Sequence, residues 1–138
     1  MFNSRRGFIG VILAPLVALI PKSAMSADCR AWFGKGYCTD YVKQKTGRSQ
    51  RGDAKAWKGN TKRHEVKAGD VAIFDFGKWG HVAYIEKVAK DKREKPTSLT
   101  VSEMNWGSPL DDCAKSPMFG KVGRRTVSLD KVDRIWRP

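Results

Sequence analysis

The chain is poor in acid and poorer still in histidine. Its 138 residues carry 14 Asp and Glu against 27 Lys and Arg, a formal net charge of +13, and two histidines, His64 and His81. There is no Cys-x-x-Cys pair and the two histidines stand far apart, so no zinc site of ordinary ligand spacing is expected, nor any other metal or cofactor. No apolar run reaches the roughly 20 residues that a bilayer-spanning helix needs. The longest, Phe8 to Ile20, has 13. Internal repeats and low-complexity linkers are also missing, which leaves one domain at most once any targeting segment is removed.

What is present begins with such a segment. In "MFNSRRGFIGVILAPLVALIPKSAMSA" a basic start, an uncharged apolar run and a small-residue end follow one another, the order of a secretory signal peptide. Ser4-Arg5-Arg6-Gly7-Phe8-Ile9 is similar to the twin-arginine export motif, with a Sec signal carrying two arginines as the alternative. Cleavage after Ser26 or Ala27 leaves a domain of residues 28–138, exported to the periplasm or cell envelope, with no membrane span. Asp28 precedes Cys29 without a small-residue lipobox, which argues against a lipoprotein. Loss of Arg5, Arg6 and Lys22 lowers the net charge to +10. That charge suits an anionic partner surface, or serves solubility alone. Export argues against nucleic acid and favours the cell wall with its acidic polymers.

Three cysteines in an exported chain leave one over if a single disulfide forms. Cys29 lies at the mature N-terminus and Cys113 in the polar stretch "PLDDCAKSP". A Cys29–Cys113 bridge would close most of the domain into one loop, about 4–5 kcal/mol in the chain-entropy model. A Cys29–Cys38 bridge is the competing pairing, and it would remove Cys38 as a nucleophile.

Along the mature chain, a helix is expected over about Tyr37–Thr46, with Asp40 in its first turn, Lys43 and Lys45 in its last, and Gly47 as its stop. A second short helix is expected within Gly52–Asn60, anchored by Trp57. The period then changes. Gly69–Phe76, His81–Val88 and Leu99–Asn105 read as strands, the charged stretch "AKDKREKPTS" as a solvated hairpin loop, and "GRRTVSL" and "DRIWRP" as two further short strands. Helices first and an antiparallel meander after them give an α+β class.

Cys38 sits where a helix begins. A helix N-terminus and a neighbouring imidazolium both favour the thiolate that cysteine chemistry needs. His64 lies in the basic segment "TKRHEV", where a surface role is the simpler reading. His81 opens a strand directly after the Gly-Lys-Trp-Gly turn, a place where a side chain is held rigidly beside a cleft. Glu103 and Asn105 are two apart on the third strand and share a face. If that strand pairs with the one carrying His81, an acceptor there would fix the imidazole's tautomer and orientation. Trp79 and Trp106 flank His81 and Asn105 in sequence and are candidates to line a substrate cleft, or ordinary rim aromatics.

Together these stretches resemble one family. "GYCTDYV" is similar to the Gly-x-Cys-Thr-x-aromatic signature of the CHAP family, the cysteine- and histidine-dependent amidohydrolases and peptidases of the NlpC/P60-like, papain-related group. "GDAKAW" resembles its second-helix motif, "AGDVAIFDFGKWGHVAYIEKV" its Gly-Asp strand followed by Gly-His-Val, "VSEMNWG" its Glu-x-Asn strand and "VDRIWRP" its closing strand. The resemblance runs from about Cys29 to Pro138. It implies a papain-like (NlpC/P60-type) α+β fold with N-terminal helices packed on an antiparallel sheet. It also implies Cys38 as nucleophile, His81 as general base and acid, and Glu103 with Asn105 as orienting and polarising groups. Two features depart from the family pattern. The stretch "DCRAWFGKG" has one acid where some members carry a calcium loop, so no calcium is expected, and Asp40 stands where a bulky residue is common.

The function implied is an exported peptidoglycan amidase or endopeptidase acting through a cysteine thioester. The alternatives are a non-catalytic wall-binding domain of the same fold and an antibacterial amidase toxin. Peptidoglycan is the expected partner, with an envelope protein or an immunity protein as further candidates.

Overall fold

A computed structural model describes residues 36–106 and 120–138. Helix α1 spans Cys38–Thr46 and is followed by five strands: β1 Val71–Phe74, β2 His81–Lys90, β3 Pro96–Met104, β4 Val122–Ser128 and β5 Arg134–Trp136. Single 3-10 turns occur at Ala54–Ala56, Arg63–Glu65 and Leu129–Lys131. The class is α+β. Among the described residues no helix is long and apolar enough to cross a membrane. The expected export segment, the expected Cys29–Cys113 pairing and most of the stretch before Cys38 lie outside the described residues.

The expected first helix forms, for the expected reasons. Asp40 accepts the Tyr37 N–H at 3.1 Å, satisfying a donor at the helix start. Gly47 adopts φ 73 after the last turn and its N–H bonds the Lys43 carbonyl at 2.8 Å. Tyr41 and Val42 form the buried stripe. The Tyr41 hydroxyl donates to Ser102 Oγ at 2.9 Å, and Ser102 donates in turn to Glu86 at 2.7 Å. Lys45 reaches the same Glu86 oxygen at 3.3 Å, so the helix is fastened to β2 and β3 along its length.

The second expected helix does not form. Residues 54–56 make one 3-10 turn, bounded by Gly52 at φ 82 and by Trp57 in extended conformation. Trp57 is the buried anchor all the same, 1% exposed, with its indole N–H on the Gly52 carbonyl at 3.2 Å and its ring edge-on to Trp136 at 5.2 Å. Seating the indole there, and bringing Gly59 within a Cβ's reach of Arg134, requires the chain to leave helical geometry.

The five strands form one antiparallel sheet in the order β4-β3-β2-β1-β5. The first four run as a meander. β5 does not continue it: the chain returns to the far edge and pairs with β1, Val71 opposite Trp136. β1 thus has a neighbour on each side, and a core packs against each of its faces, which is why "VAIF" is continuously apolar instead of alternating. Val71, Ile73 and Val82 pack with Val42, Trp57 and Trp136 on the helix side. Ala72, Phe74, Ala83, Ile85 and Val101 pack with Val127, Leu129, Val132 and Ile135 on the other. β2 and β3 outrun their expected ends, so the solvated hairpin loop shrinks to five residues, 91–95, closed by the Asp91 N–H on the Lys95 carbonyl at 2.9 Å.

Candidate active site

Cys38 is the first residue of α1, half-buried and carrying a free thiol. His81 is the first residue of β2 and is 4% exposed. The glycine before it is required. Gly80 has φ 68, and a Cβ there would lie 2.6 Å from the Lys55 nitrogen and 2.9 Å from the Phe74 carbonyl oxygen. The Lys55 N–H donates to the Trp79 carbonyl at 2.9 Å and the Lys55 ammonium to the Gly77 carbonyl at 2.9 Å. The 3-10 turn and the β1–β2 turn are thereby clamped together just ahead of the histidine.

β2 and β3 pair as expected, with Tyr84 opposite Ser102. That register sets His81 and Glu103 on one face, and His81 Nε2 meets Glu103 Oε2 at 2.9 Å. Glu103 is 1% exposed. Burial works against a charged His81 ring, but the Cys38 side chain and the Glu103 carboxylate outweigh it and hold the histidine above its ordinary pKa. Burial likewise disfavours a charged Glu103. Bonds from His81 and Arg125 overcome it, and the carboxyl lies below the usual range. With Nε2 engaged on Glu103, Nδ1 is the ring nitrogen left for the hydrogen bond with the Cys38 side chain.

A cleft of about 620 Å³ opens over this group, lined by Cys38, Thr39, Asp53, His81, Asn105 and the aromatics Tyr37, Phe76, Trp79 and Trp106, among others. Trp106 lies 5.1 Å from the His81 ring and edge-on to Phe76 at 5.0 Å; Phe76 stacks on His81 at 6.0 Å. Trp79 is 45% exposed at the opposite end of the β1–β2 turn, with the Lys78 ammonium over its ring at 4.4 Å. Asn105 has left the strand, at φ 65, and donates its N–H to the Lys121 carbonyl at 3.1 Å. Its Oδ1 is buried and has no hydrogen-bond partner among the described residues.

All six residues singled out in the sequence therefore line the cleft or underlie it: Cys38, His81, Asn105, Trp79 and Trp106 in its wall, Glu103 beneath His81. His64 stays on an exposed turn beside Glu65, 3.8 Å away. Asp40 is engaged at the helix start and is not among the residues lining the cleft. Among the described residues no group of three His, Cys, Asp or Glu side chains is placed to hold a metal ion.

Sequence reasoning missed Arg125. Its Nε donates to Glu103 Oε1 at 2.6 Å and its guanidinium lies 3.8 Å over the Trp106 ring. The residue stands in "GKVGRRTVS" beside Arg124, which points to Glu86 at 3.6 Å. Strand alternation separates the two arginines, but only the β3–β4 register, Val101 opposite Arg125, says which of them faces Glu103.

A comparison with curated proteins finds no match to the chain. The model of the CHAP domain matches residues 30–105, a span that holds Cys38, His81, Glu103 and Asn105. A cysteine at a helix start, a histidine at a strand start and a carboxylate behind it thus lie within the matched residues, and the chain belongs to the CHAP domain family.

Proposed function

We propose that the chain is an exported peptidoglycan amidase or endopeptidase, a papain-like (NlpC/P60-type) domain that cuts an amide bond through a cysteine thioester. The observation that carries this reading is the floor of the cleft, where a free thiol at a helix N-terminus lies beside an imidazole backed by a buried, ionised carboxylate. CHAP domains generally act as hydrolases on peptidoglycan, and a basic domain is drawn to an anionic wall.

The Cys38 thiolate attacks the amide carbonyl carbon, and the carbonyl electron pair moves to oxygen. The Cys38 backbone N–H, at the positive end of α1, stabilises that oxyanion. Collapse re-forms the carbonyl and breaks the C–N bond as the His81 imidazolium gives its proton to the leaving amine. A thioester and a neutral imidazole remain. The imidazole then takes a proton from water as the oxygen attacks, and collapse releases the acid and restores the thiolate–imidazolium pair. Glu103 holds the ring in one orientation through both halves, Asn105 offers its buried amide oxygen as an acceptor to the bound substrate, and Trp79 and Trp106 form walls for it. With Cys38 acting as the nucleophile, Cys29 and Cys113 are left to pair with each other in an oxidising compartment.

The test is incubation of the mature protein and Cys38→Ala with purified peptidoglycan, with products read by mass spectrometry. New amine and carboxyl ends from the wild type alone are expected, and they name the bond. No cleavage by a folded protein with its thiol free refutes the reading.

A further inference from the structure

We propose that Arg125 is a positioning residue of this site, whose guanidinium edge aims the Glu103 carboxylate at His81 while its face supports Trp106 on the cleft wall. The inference rests on the hydrolase reading above, and the residue lies outside the 30–105 family match.

The geometry divides one planar group between two tasks. Along its edge, Nε takes Glu103 Oε1 at 2.6 Å and Nη2 reaches Oε2 at 3.4 Å. That leaves Oε2 as the oxygen that meets His81, at 2.9 Å. The terminal torsion of a glutamate is broad, so a carboxylate held by His81 alone could present either oxygen at a range of angles. The second bond removes that freedom. Across its face, the guanidinium lies 3.8 Å from the centre of the Trp106 ring and 5.4 Å from that of Phe74. Trp106 in turn lies 5.1 Å from His81 and lines the cleft.

The acid–base pair and one substrate wall therefore share a single support. Lysine could supply the charge to Glu103, but it has no planar face to lay under an indole and no second fixed donor. Arg124 cannot substitute either, since it lies on the opposite side of the strand toward Glu86.

The test compares Arg125→Met and Arg125→Lys in the mature protein. The first readout is the carboxyl-carbon NMR titration of Glu103, which needs no turnover. In Arg125→Met the Glu103 midpoint is expected to rise by about one unit or more, because a buried carboxylate loses a cation. In Arg125→Lys it should stay near the wild-type value. The second readout is kinetic: kcat falls about 10-fold or more in the Met variant, as for a misplaced acid–base group, whereas the Lys variant keeps most of kcat and raises KM several-fold. An unchanged Glu103 midpoint in folded Arg125→Met overturns the proposal, as does an Arg125→Lys with wild-type KM. If the Met variant does not fold, the Lys variant decides by its KM and its Glu103 midpoint. A wild type inactive on every wall preparation sinks the hydrolase reading, and the NMR titration still judges Arg125.

Discussion

Replacing Glu103 with glutamine keeps the shape of the site and removes one charge from it. In the wild type that charge is 1% exposed and is held by two cations, His81 at 2.9 Å and Arg125 at 2.6 Å. Breaking a buried pair by deleting one partner costs about 3–5 kcal/mol. Arg125 keeps a quarter of its side-chain surface in water, so the lower end, about 3 kcal/mol, is expected. The pH dependence follows from the two shifts. The raised His81 pKa contributes stability that is fully present below its unfolded value, 6.5, and is lost as pH rises through the folded value. The depressed Glu103 pKa contributes stability present above its unfolded value, 4.5, and lost as pH falls through the folded one. The two overlap between pH 4.5 and 6.5, where Glu103→Gln should destabilise most in urea unfolding. At higher pH the difference should shrink to the Arg125 share. In the folded variant the His81 titration, followed by ring-nitrogen NMR, should fall by about 1–2 units. The alkaline limb of kcat/KM should fall with it. A folded variant whose His81 titrates as in the wild type would refute the assignment of Glu103 as a group that, with Cys38, favours the charged ring.

Other perturbations probe the parts that hold this group in place. Gly80→Ala puts a Cβ 2.6 Å from a backbone nitrogen at a left-handed φ; it should cost upwards of about 2 kcal/mol in chemical denaturation and lower activity in the surviving folded fraction. Tyr41→Phe removes the buried donor to Ser102 and should cost about 1–2 kcal/mol while leaving the pH profile unchanged, since the bond fastens α1 and touches neither Cys38 nor His81. Trp57→Ala empties the helix-side core and should cost about 3–5 kcal/mol by the same denaturation assay. Trp106→Leu should raise KM more than it lowers kcat in steady-state assays, because the ring lines the cleft and itself carries no proton in the reaction.

Much of the site was legible because its residues sit at element starts, where local chemistry marks them. Cys38 follows a helix-start pattern and His81 follows a glycine that only a glycine-compatible turn permits. Glu103 was legible as soon as strands two and three were paired. What the sequence withheld depends on contacts across long separations. The return of β5 to the β1 edge is set by Ile135 and Trp136 finding opposite faces of the sheet, and by Arg137 gripping Asp70 with two 2.8 Å bonds. None of that has a local signature. The 52–60 stretch misled because Ala54, Ala56 and Trp57 suit a helix, whereas burial of the indole against Trp136 overrode the propensity.

The placement of β5 also bears on the order in which the molecule can be finished. Ile135 belongs to one core and Trp136 to the other, and Thr61 pairs with Ile135 across the outer edge. Until residues 134–137 have been synthesised, β1 has a bare edge and neither core is closed. A nascent chain thus carries Cys38 and His81 well before the sheet is complete. Closure of both cores is tied to β5 rather than to the helix that bears Cys38, and pairings of such long sequence separation are the slow ones to form.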